Sequence, residues 1–293
     1  MTLHHGDALE TLKTLPSASV QCCITSPPYW HVRDYGHRQW FGGDHECQHD
    51  QAIQHRVKCP TFEPGTWDRA QYRKLNGRWG RQHHSFAVTH ECSRCGAWLG
   101  ALGLEPSIDL YVQHLVEVFR EVKRVLKKGG TAWLNMGDAI KNKRLQGVPW
   151  RLALALQDDG WYLRSDVVWH RPNGSPEAVK DRPHRAHEYL FLLSKSPKYH
   201  FDLDAVREPT HHRRSVWRIP IRRDSAAHCS VFPGELAKLC VLASTRPGDV
   251  VLDPFAGSGT TCATAAQLGR EFIGVELDES HVRLIQERLA SLA

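Results

Sequence analysis

The chain has 293 residues, and its 38 Lys and Arg against 32 Asp and Glu give a formal net charge of +6 at pH 7. This mildly basic balance weakly favours a nucleic-acid partner. No stretch approaches the roughly 20 apolar residues of a membrane span, and residues 1–16 lack the basic start and apolar run of a signal peptide. Nine cysteines without an export signal indicate thiols or metal ligands rather than disulfides. We therefore expect a cytoplasmic protein with one large α/β domain and insertions, or with two domains.

The first elements predicted along the chain are an edge segment, a helix and a buried strand. The segment from Thr2 ends at Gly6-Asp7, where the aspartate is a common helix N-cap for the pattern ALETLKTL. The apolar run Val20–Thr25 predicts a short strand. It leads into the turn Ser26-Pro27-Pro28-Tyr29-Trp30, whose prolines fix φ and stiffen the backbone. On its own, this turn is either a rigid loop or a functional site.

Residues 31–105 interrupt the apolar periodicity and hold eight of the 19 histidines. Within them, Cys92 and Cys95 form a C-x-x-C pair followed by glycine, a frequent half of a zinc site. Cys47 and His49 form one candidate second pair, and Cys59 stands alone. A zinc ion would stabilise an insertion that has little core of its own. Reduced thiols in a partly ordered loop are the alternative.

From residue 110 the chain alternates between helical and strand patterns. An apolar stripe predicts a helix over Leu110–Leu126, closed by Lys127-Lys128-Gly129-Gly130. Trp150–Asp158 is also helical in pattern. Strands are predicted at Thr131–Met136, Leu163–His170 and Tyr189–Ser194. Alternation of this kind predicts a largely parallel sheet with helices on both faces.

A glycine turn, Asp253–Thr261 (DPFAGSGTT), lies between the predicted strand Gly248–Leu252 and the predicted helix Cys262–Leu268. Glycines in such a turn allow backbone N–H groups to approach a ligand at a helix N-terminus. A second strand, Glu271–Val275, ends at Glu276, roughly 20 residues past the glycines, where nucleoside-binding folds place a ribose-binding acid. Cys262 replaces the third glycine of the dinucleotide pattern, so an adenosine-containing cofactor other than a dinucleotide is predicted. A turn that only packs a helix on the sheet is the alternative.

TSPPYW together with DPFAGSGTT resembles the DNA amino-methyltransferases, which transfer a methyl group from S-adenosylmethionine to an exocyclic amine of a base. The order of the two turns resembles the β class of that family. LNMGD, SDVVWHRPN, PEAVKDRP and AHEYLFLLSKS extend the resemblance over most of the chain. It implies a Rossmann-like methyltransferase fold formed by residues 1–30 and 106–293, with residues 31–105 as a metal-stapled insertion.

The resemblance also implies roles for individual residues. Around the amine, the implied catalytic residues are Ser26, Pro27, Pro28 and Tyr29. The implied S-adenosylmethionine-binding residues are Asp7, Phe232, Pro233, Asp253, Pro254, Phe255, Ala256, Gly257, Ser258, Gly259, Thr260 and Glu276. The implied zinc ligands are Cys47, His49, Cys92 and Cys95, with Cys59 or His45 as substitutes for His49. The family more often has Asp or Asn at the position of Ser26, and serine is the weaker acceptor.

Two basic segments, residues 66–84 and 205–228, predict contacts with double-stranded DNA, because cations neutralise phosphates and aromatic side chains stack on bases. The second is the candidate target-recognition segment. The predicted DNA-binding residues are Arg69, Arg73, Lys74, Arg78, Arg81, Arg213, Arg214, Arg218, Arg222 and Arg223. Solvated loops are the alternative. Trp217 is interpreted as either a core anchor or a base contact, and Asp181, Arg182 and His187-Glu188 as either pocket residues or loop ion pairs.

The function predicted from these features is methylation of duplex DNA at a flipped base. TSPPYW fits cytosine-N4 enzymes as well as adenine-N6 ones. The loops resemble stand-alone and phage-type enzymes that act on adenine, so adenine N6 is the predicted target. No restriction-nuclease motif is visible, which agrees with a stand-alone enzyme. The resemblance further implies a homodimer. A catalytically inactive zinc-containing DNA-binding protein and an RNA methyltransferase are the other hypotheses.

Overall fold

The computed structural model describes residues 1–32, 34, 36, 38–44, 46–49, 54–56, 86–88, 92–174, 176–221 and 232–292. The chain divides into two compact units. The larger comprises Met1–Tyr35 and Leu102–Ala293, and the smaller comprises Gly36–Ala101. No helix in these described ranges is long and apolar enough to cross a membrane.

In chain order the described elements are β1 (Thr2–His5), α1 (Ala8–Thr14), β2 (Val20–Thr25), β3 (Gln39–Phe41), β4 (Gln54–Arg56), β5 (Phe86–Val88), β6 (Trp98–Gly100), α2 (Ile108–Val125), β7 (Leu126–Met136), β8 (Ile140–Lys141), β9 (Arg144–Leu145), α3 (Val148–Asp158), β10 (Tyr162–His170), β11 (His187–Ser194), β12 (Val216–Arg218), α4 (Gly234–Ser244), β13 (Val250–Asp253), α5 (Thr260–Gln267), β14 (Glu271–Glu276) and α6 (Glu279–Ala290).

The larger unit is built on a sheet whose described strands run in the order β1-β14-β13-β2-β7-β11-β10-β12. β11 is antiparallel to both of its neighbours, and the other strand pairs of the sheet are parallel. The prediction of a largely parallel, Rossmann-like sheet is therefore confirmed. Because β11 runs in the opposite direction, its first residues lie at the edge where the parallel strands end.

Helices cover both faces of this sheet, as predicted. Side chains of neighbouring strand positions point to opposite faces, so Cys23 packs in one core with α1, α2 and α3, while Cys22 packs in the other with α4, α5 and α6. Phe191 and Leu192 divide between the two cores in the same way. A sheet buried on both faces explains why its strands are nearly continuous apolar runs.

Two predicted boundaries are corrected. The glycines Gly129 and Gly130 do not close the long helix, because α2 ends at Val125 and both glycines lie within β7. The chain turns directly into the strand, since Leu126 pairs with Val20 of β2. The strand predicted from Gly248 begins at Val250. Gly248 has a φ of +82°, a left-handed conformation that a strand does not contain.

The smaller unit contains two antiparallel strand pairs among its described residues, β3 with β6 and β4 with β5. The rings of Phe41 on β3 and Trp98 on β6 lie 5.5 Å apart. The β3–β6 pair brings the residues that follow Phe41 close to those that precede Trp98, which are the two segments with the predicted zinc ligands.

Candidate active site and metal centre

The two motifs of the sequence meet at one edge of the sheet. The carboxyl ends of β2 and β13 lie on the same side because these strands are parallel neighbours. Ser26 follows β2, and Pro254 follows β13. The Thr25 hydroxyl donates to the Asp253 carboxylate at 2.7 Å, which joins the ends of the two strands. The fold thus places the Pro-Pro turn and the glycine turn beside each other.

The Pro-Pro turn is held from behind by groups outside it. The Tyr111 hydroxyl of α2 donates to the Pro28 carbonyl at 2.7 Å. The indole N–H of buried Trp30 donates to the Glu105 carbonyl at 3.0 Å. A Cβ added at Gly137 would lie 2.7 Å from the Tyr29 ring, so a side chain at that position would displace Tyr29. These contacts give the turn a fixed shape.

A hydrogen-bonded network runs inward from the turn. The Ser26 hydroxyl donates to the Tyr29 hydroxyl at 3.1 Å, and the Tyr29 hydroxyl donates to Glu188 Oε2 at 2.8 Å. Asn135 Nδ2 donates to the same Glu188 oxygen at 3.1 Å, and Arg171 donates to the other at 2.7 Å. Burial and the nearby Glu188 charge raise the pKa of Tyr29 well above its ordinary value, so its hydroxyl keeps its proton.

Sequence analysis only partly identified this network. It left His187-Glu188 open between a pocket and an ion pair, and the structure places Glu188 against Tyr29. It missed Asn135 and Arg171. They reach the site from β7 and from the end of β10, because these strands lie on either side of β11. Arg182, for which the same two interpretations were left open, pairs with Glu177 in a loop and also borders a cavity beside the Pro-Pro turn.

Asp253 is a buried carboxylate at the entrance to the glycine turn. Burial raises the pKa of Asp253 to about 6, although hydrogen bonds from Thr25, Thr261 and the Phe255 N–H act to lower it. The Phe255 N–H donates to Asp253 Oδ1 at 3.1 Å. Asp253 therefore fixes the path of the chain from β13 into the turn.

Glu276 closes the glycine turn from the neighbouring strand. Its Oε2 accepts the Gly257 N–H at 2.7 Å, and its Oε1 accepts the Asp278 N–H at 2.9 Å. The Gly257 N–H is therefore directed at this carboxylate. Each carboxylate oxygen has a further lone pair, so Glu276 can still accept hydrogen bonds from two vicinal hydroxyls. A Cβ at Gly257 would meet only the Phe255 carbonyl, at 3.9 Å, which leaves room beside the turn.

The remaining predicted cofactor residues lie at the same edge or support it. Gly259 caps α5 with a φ of +74°, and a Cβ there would lie 2.8 Å from Ile285. Pro233 caps α4, and Phe232 packs on the core beneath it. Asp7 caps α1 by accepting the Glu10 N–H at 3.0 Å. The rest of the set, Pro254, Ala256, Ser258 and Thr260, lies in the turn itself or at the start of α5.

In the smaller unit, the ligand atoms of Cys47, His49, Cys92 and Cys95 all lie within 4.8 Å of one another. The sulfurs of Cys47 and Cys92 are 3.9 Å apart, and the Cys95 sulfur is 3.3 Å from His49 Nδ1. A tetrahedral zinc with bonds of about 2.3 Å to sulfur requires sulfur–sulfur distances of about 3.8 Å. These four residues fit zinc. The alternatives Cys59 and His45 lie outside the described residues.

The predicted DNA-binding arginines have different surroundings. Arg214 and Arg218 are exposed. Arg213 is half buried, donates to the Val206 carbonyl at 3.1 Å and lies over the ring of Trp217. Trp217 itself is buried, 5.7 Å from Trp133, so it is a core anchor. The other predicted DNA contacts, Arg69, Arg73, Lys74, Arg78, Arg81, Arg222 and Arg223, lie outside the described residues.

A basic hairpin beside the Pro-Pro turn was missed by sequence analysis. Strands β8 and β9 are joined by Asn142 and Lys143, whose φ values of +52° and +60° are those of a tight hairpin turn. Lys141 lies over the Trp30 ring, 4.7 Å from its centroid. Asp138 accepts the N–H groups of the residues on both sides of the hairpin base. The exposed Lys-Asn-Lys-Arg sequence, read in chain order, was the available signal.

A cavity of about 380 Å³ lies between this hairpin and the turn. Its lining includes Trp30, Asp138 and Lys141, together with Glu177 and the two arginines that pair with it, Arg182 and Arg185. The Pro-Pro turn therefore borders a concave surface lined by charged groups of both signs.

Solved structures share this fold. The PvuII DNA methyltransferase, described as cytosine-N4-specific, superposes with a TM-score of 0.68 over 98% of this chain and 85% of its own, at 19% identity. A Thermus thermophilus protein assigned as a DNA modification methylase, solved with S-adenosylmethionine, gives a TM-score of 0.61 over 99% of this chain and 94% of its own, at 25% identity. The fold is that of a Rossmann-like methyltransferase.

Sequence comparison gives the family. A family model described as a DNA methylase, of the N6/N4 amino-methyltransferases, matches residues 20–287. The type II methyltransferase M.XycI of Xanthomonas campestris pv. cyanopsidis is 38% identical over 98% of this chain and 87% of its own. The type II methyltransferase M.SmaI of Serratia marcescens is 38% identical over 97% of this chain and 89% of its own. The chain belongs to the β-class, S-adenosylmethionine-dependent DNA amino-methyltransferases.

The raised pKa of Asp253 predicts a pH-dependent stability. The folded state holds this proton more tightly than the unfolded chain, so the stabilisation is complete below pH 3.8 and is lost as the pH rises through about 6. Asp253→Asn has no such charge to bury. We expect the unfolding free energy of the variant, minus that of the wild type, to rise by about 2 to 3 kcal/mol between pH 4 and pH 7.

Urea unfolding followed by circular dichroism across that pH range measures this difference. Asp158→Asn, which changes an exposed aspartate on α3, is the matched control and should show no such rise. Parallel stability curves for wild type and Asp253→Asn would show that the buried carboxyl is not the cause.

Proposed function

We propose that this chain methylates an exocyclic base amine in duplex DNA, with Ser26 and the Pro27 carbonyl as the acceptors that hold the amine. The observation that carries this proposal is the 3.1 Å contact between the Ser26 and Tyr29 hydroxyls, in which Ser26 is the donor because the Tyr29 hydroxyl donates to Glu188, 2.8 Å away. Since the Ser26 hydrogen is used there, the lone pairs of its oxygen remain for the N–H groups of a substrate amine.

The chemistry of the amine explains why two acceptors are needed. Its lone pair is delocalised into the base ring, which makes the nitrogen a poor nucleophile. Acceptors that draw its hydrogens out of the ring plane localise the lone pair and aim it, so positioning and electrostatics supply the rate. The Tyr29 ring stacks on the base. The target amine is inaccessible in a duplex, so the base is flipped out at a cost of a few kcal/mol.

S-adenosylmethionine, when bound, supplies an electrophilic methyl group on sulfur. Glu276 holds the ribose hydroxyls with the lone pairs that its backbone contacts leave over. Asp253 orders the turn through the Phe255 N–H, and the glycine turn leaves room for the cofactor beside Gly257. The Thr25–Asp253 hydrogen bond then sets the spacing between cofactor and amine.

Two target bases are candidates. The resemblance of the loops to adenine enzymes supports N6 of adenine, which is the base predicted from the sequence. Cytosine N4 is the second candidate, because the PvuII enzyme, with a TM-score of 0.68, is described as cytosine-N4-specific. At 19% identity, this similarity is evidence for the fold and not for the target base. Digestion of DNA methylated in vitro to nucleosides, followed by chromatography, decides between the two. A methyladenosine peak supports the first and a methylcytidine peak the second.

The assignment of roles predicts opposite effects for two variants. Ser26→Ala removes an acceptor at the amine, so we expect methyl transfer to fall by about 100-fold or more with cofactor affinity retained. Glu276→Ala removes a cofactor ligand, so we expect cofactor affinity to be lost first. Calorimetric titration with S-adenosylmethionine and a single-turnover transfer assay measure the two quantities. A fully active Ser26→Ala enzyme would contradict the role of Ser26.

We propose that Cys47, His49, Cys92 and Cys95 hold one structural zinc ion, which the clustering of their four ligand atoms within 4.8 Å of one another supports. Elemental analysis should find about one equivalent of zinc per chain. Cys95→Ser should lower that content and the resistance of residues 36–101 to proteolysis. Cys240→Ser, at a buried thiol outside the cluster, should retain the zinc. Less than a tenth of an equivalent of any transition metal in the wild type would overturn the site.

We propose that the β8–β9 hairpin lies against the DNA, together with the basic segments predicted from the sequence. A two-stranded ribbon fits the major groove, and the exposed cations Lys143 and Arg144 face no acidic residue within the hairpin. Each phosphate contact adds about 0.9 to the slope of log affinity against log salt. Lys143→Gln with Arg144→Gln should therefore weaken duplex binding and reduce that slope by roughly 2.

Fluorescence anisotropy over a salt series measures both effects. The control is Lys128→Gln, because Lys128 is exposed near the amino end of β7, at the opposite edge of the sheet from the hairpin. An unchanged slope in the double variant would remove the hairpin from the interface.

Other features of the function follow as proposals. The relatives' designation as type II methyltransferases supports a role in a restriction-modification system. A DNA substrate supports a cytoplasmic location. The homodimer implied by the family resemblance stays a prediction, as does base flipping.

A further inference from the structure

We propose that Glu188 acts through Tyr29 on Ser26, setting the direction of the Ser26 hydroxyl and taking up the proton that the amine releases. The inference rests on the proposed function and extends it to a positioning residue of the same site. Its basis is the chain of hydrogen bonds from Ser26 to Tyr29 to Glu188.

The directions of these hydrogen bonds follow from Glu188. An ionised carboxylate can only accept, so Tyr29 must be the donor in their 2.8 Å contact. The single hydrogen of Tyr29 is then used, and the Tyr29 oxygen can only accept from Ser26. That leaves the Ser26 oxygen with its lone pairs free on the substrate side. The carboxylate thus decides, across two hydrogen bonds, that Ser26 presents an acceptor to the amine.

The surroundings of Glu188 keep the carboxylate in one position. Arg171 donates to Oε1 at 2.7 Å and Asn135 to Oε2 at 3.1 Å. Asn135 also donates to the Tyr189 carbonyl at 3.1 Å, which fixes the orientation of its amide. The Glu188 side chain is 13% exposed. A carboxylate in such a setting interacts with its hydrogen-bond donors more strongly than it would in water.

The same chain provides a path for a proton. The lone pair of the amine nitrogen forms a bond to the methyl carbon while the carbon–sulfur bond breaks. The electron pair of the broken bond goes to sulfur. The nitrogen then carries an extra proton. This proton passes to the Ser26 oxygen as the Ser26 proton passes to Tyr29 and the Tyr29 proton passes to Glu188. The base and both hydroxyls end neutral, and Glu188 ends as the neutral acid, which later releases the proton to water.

This arrangement gives serine a property that it lacks alone. A hydroxyl is a weaker acceptor than the acid or amide more frequent at this position in the family. Here a carboxylate, paired on its far side with Arg171, lies two hydrogen bonds behind the hydroxyl, and hydrogen bonds in a chain polarise one another. Glu188 thereby makes Ser26 a stronger acceptor without entering the substrate site.

Glu188→Gln tests the inference, because its amide oxygen can still accept from Tyr29 but carries no charge. We expect single-turnover methyl transfer to fall by about 100-fold, with the calorimetric Kd for S-adenosylmethionine and the Kd for duplex DNA unchanged. Tyr29→Phe, which interrupts the chain and keeps a ring, should fall by a similar factor. Glu121→Gln removes a carboxylate paired with Arg124 on α2 and is the matched control, with an unchanged rate.

Glu188→Ala adds a measurement that a purely structural role would not move. Formate should restore part of its transfer rate because it replaces the carboxylate, whereas formamide should not. Urea unfolding confirms that each variant is folded. The inference would be overturned if Glu188→Gln transferred methyl groups at the wild-type rate, or if formamide restored the rate of Glu188→Ala as well as formate does. A loss confined to the affinity for S-adenosylmethionine or DNA would also overturn it. The rate of methyl transfer by the wild type, measured in the same series, tests the proposed function separately, because an inactive wild type would contradict that function and not the role of Glu188.

Discussion

A buried hydrogen bond from the Thr25 hydroxyl to the Asp253 carboxylate joins two segments that are 228 residues apart in the chain. One leads into the Pro-Pro turn and the other into the glycine turn, so the geometry of the whole site depends on the lateral pairing of β2 with β13. The carboxylate is costly to bury, as its raised pKa shows. Its burial between the two strands agrees with a requirement for a fixed spacing between the groups that the two turns hold.

Sequence analysis predicted the parts of the proposed site that lie in one continuous segment. Ser26 and Tyr29 are recognisable because the prolines between them constrain the turn locally. Gly257, Gly259 and Glu276 are recognisable because a strand, a turn, a helix and a second strand follow one another directly. The fold class followed from the same alternation, and the two packed cores bear it out.

The parts that escaped prediction depend on pairing between distant strands. Glu188 approaches Tyr29 because β11 is antiparallel to β7 and its first residues lie where β7 ends. An apolar run such as Tyr189–Ser194 contains no signal for strand direction. The sequence therefore predicted a strand there but not the position of Glu188 beside Tyr29. The hairpin at Asn142–Lys143 was missed for a different reason: its strands are two residues each, too short for a periodicity to show.

In the proposed mechanism, the weaker acceptor Ser26 in the motif is offset by groups from elsewhere in the fold. A carboxylate at the turn would hold the amine directly, but it would place a full charge beside the substrate. In the Ser26–Tyr29–Glu188 chain the charge lies inside the protein, paired with Arg171. It polarises the Ser26 oxygen through the two hydroxyls. The cost is geometric, because three groups from two segments must stay in line. The rigid backing of the turn by Tyr111 and Trp30 meets that requirement. In this proposal, the strength of the acceptor at the amine is set by the packing of the sheet as well as by the residue in the motif.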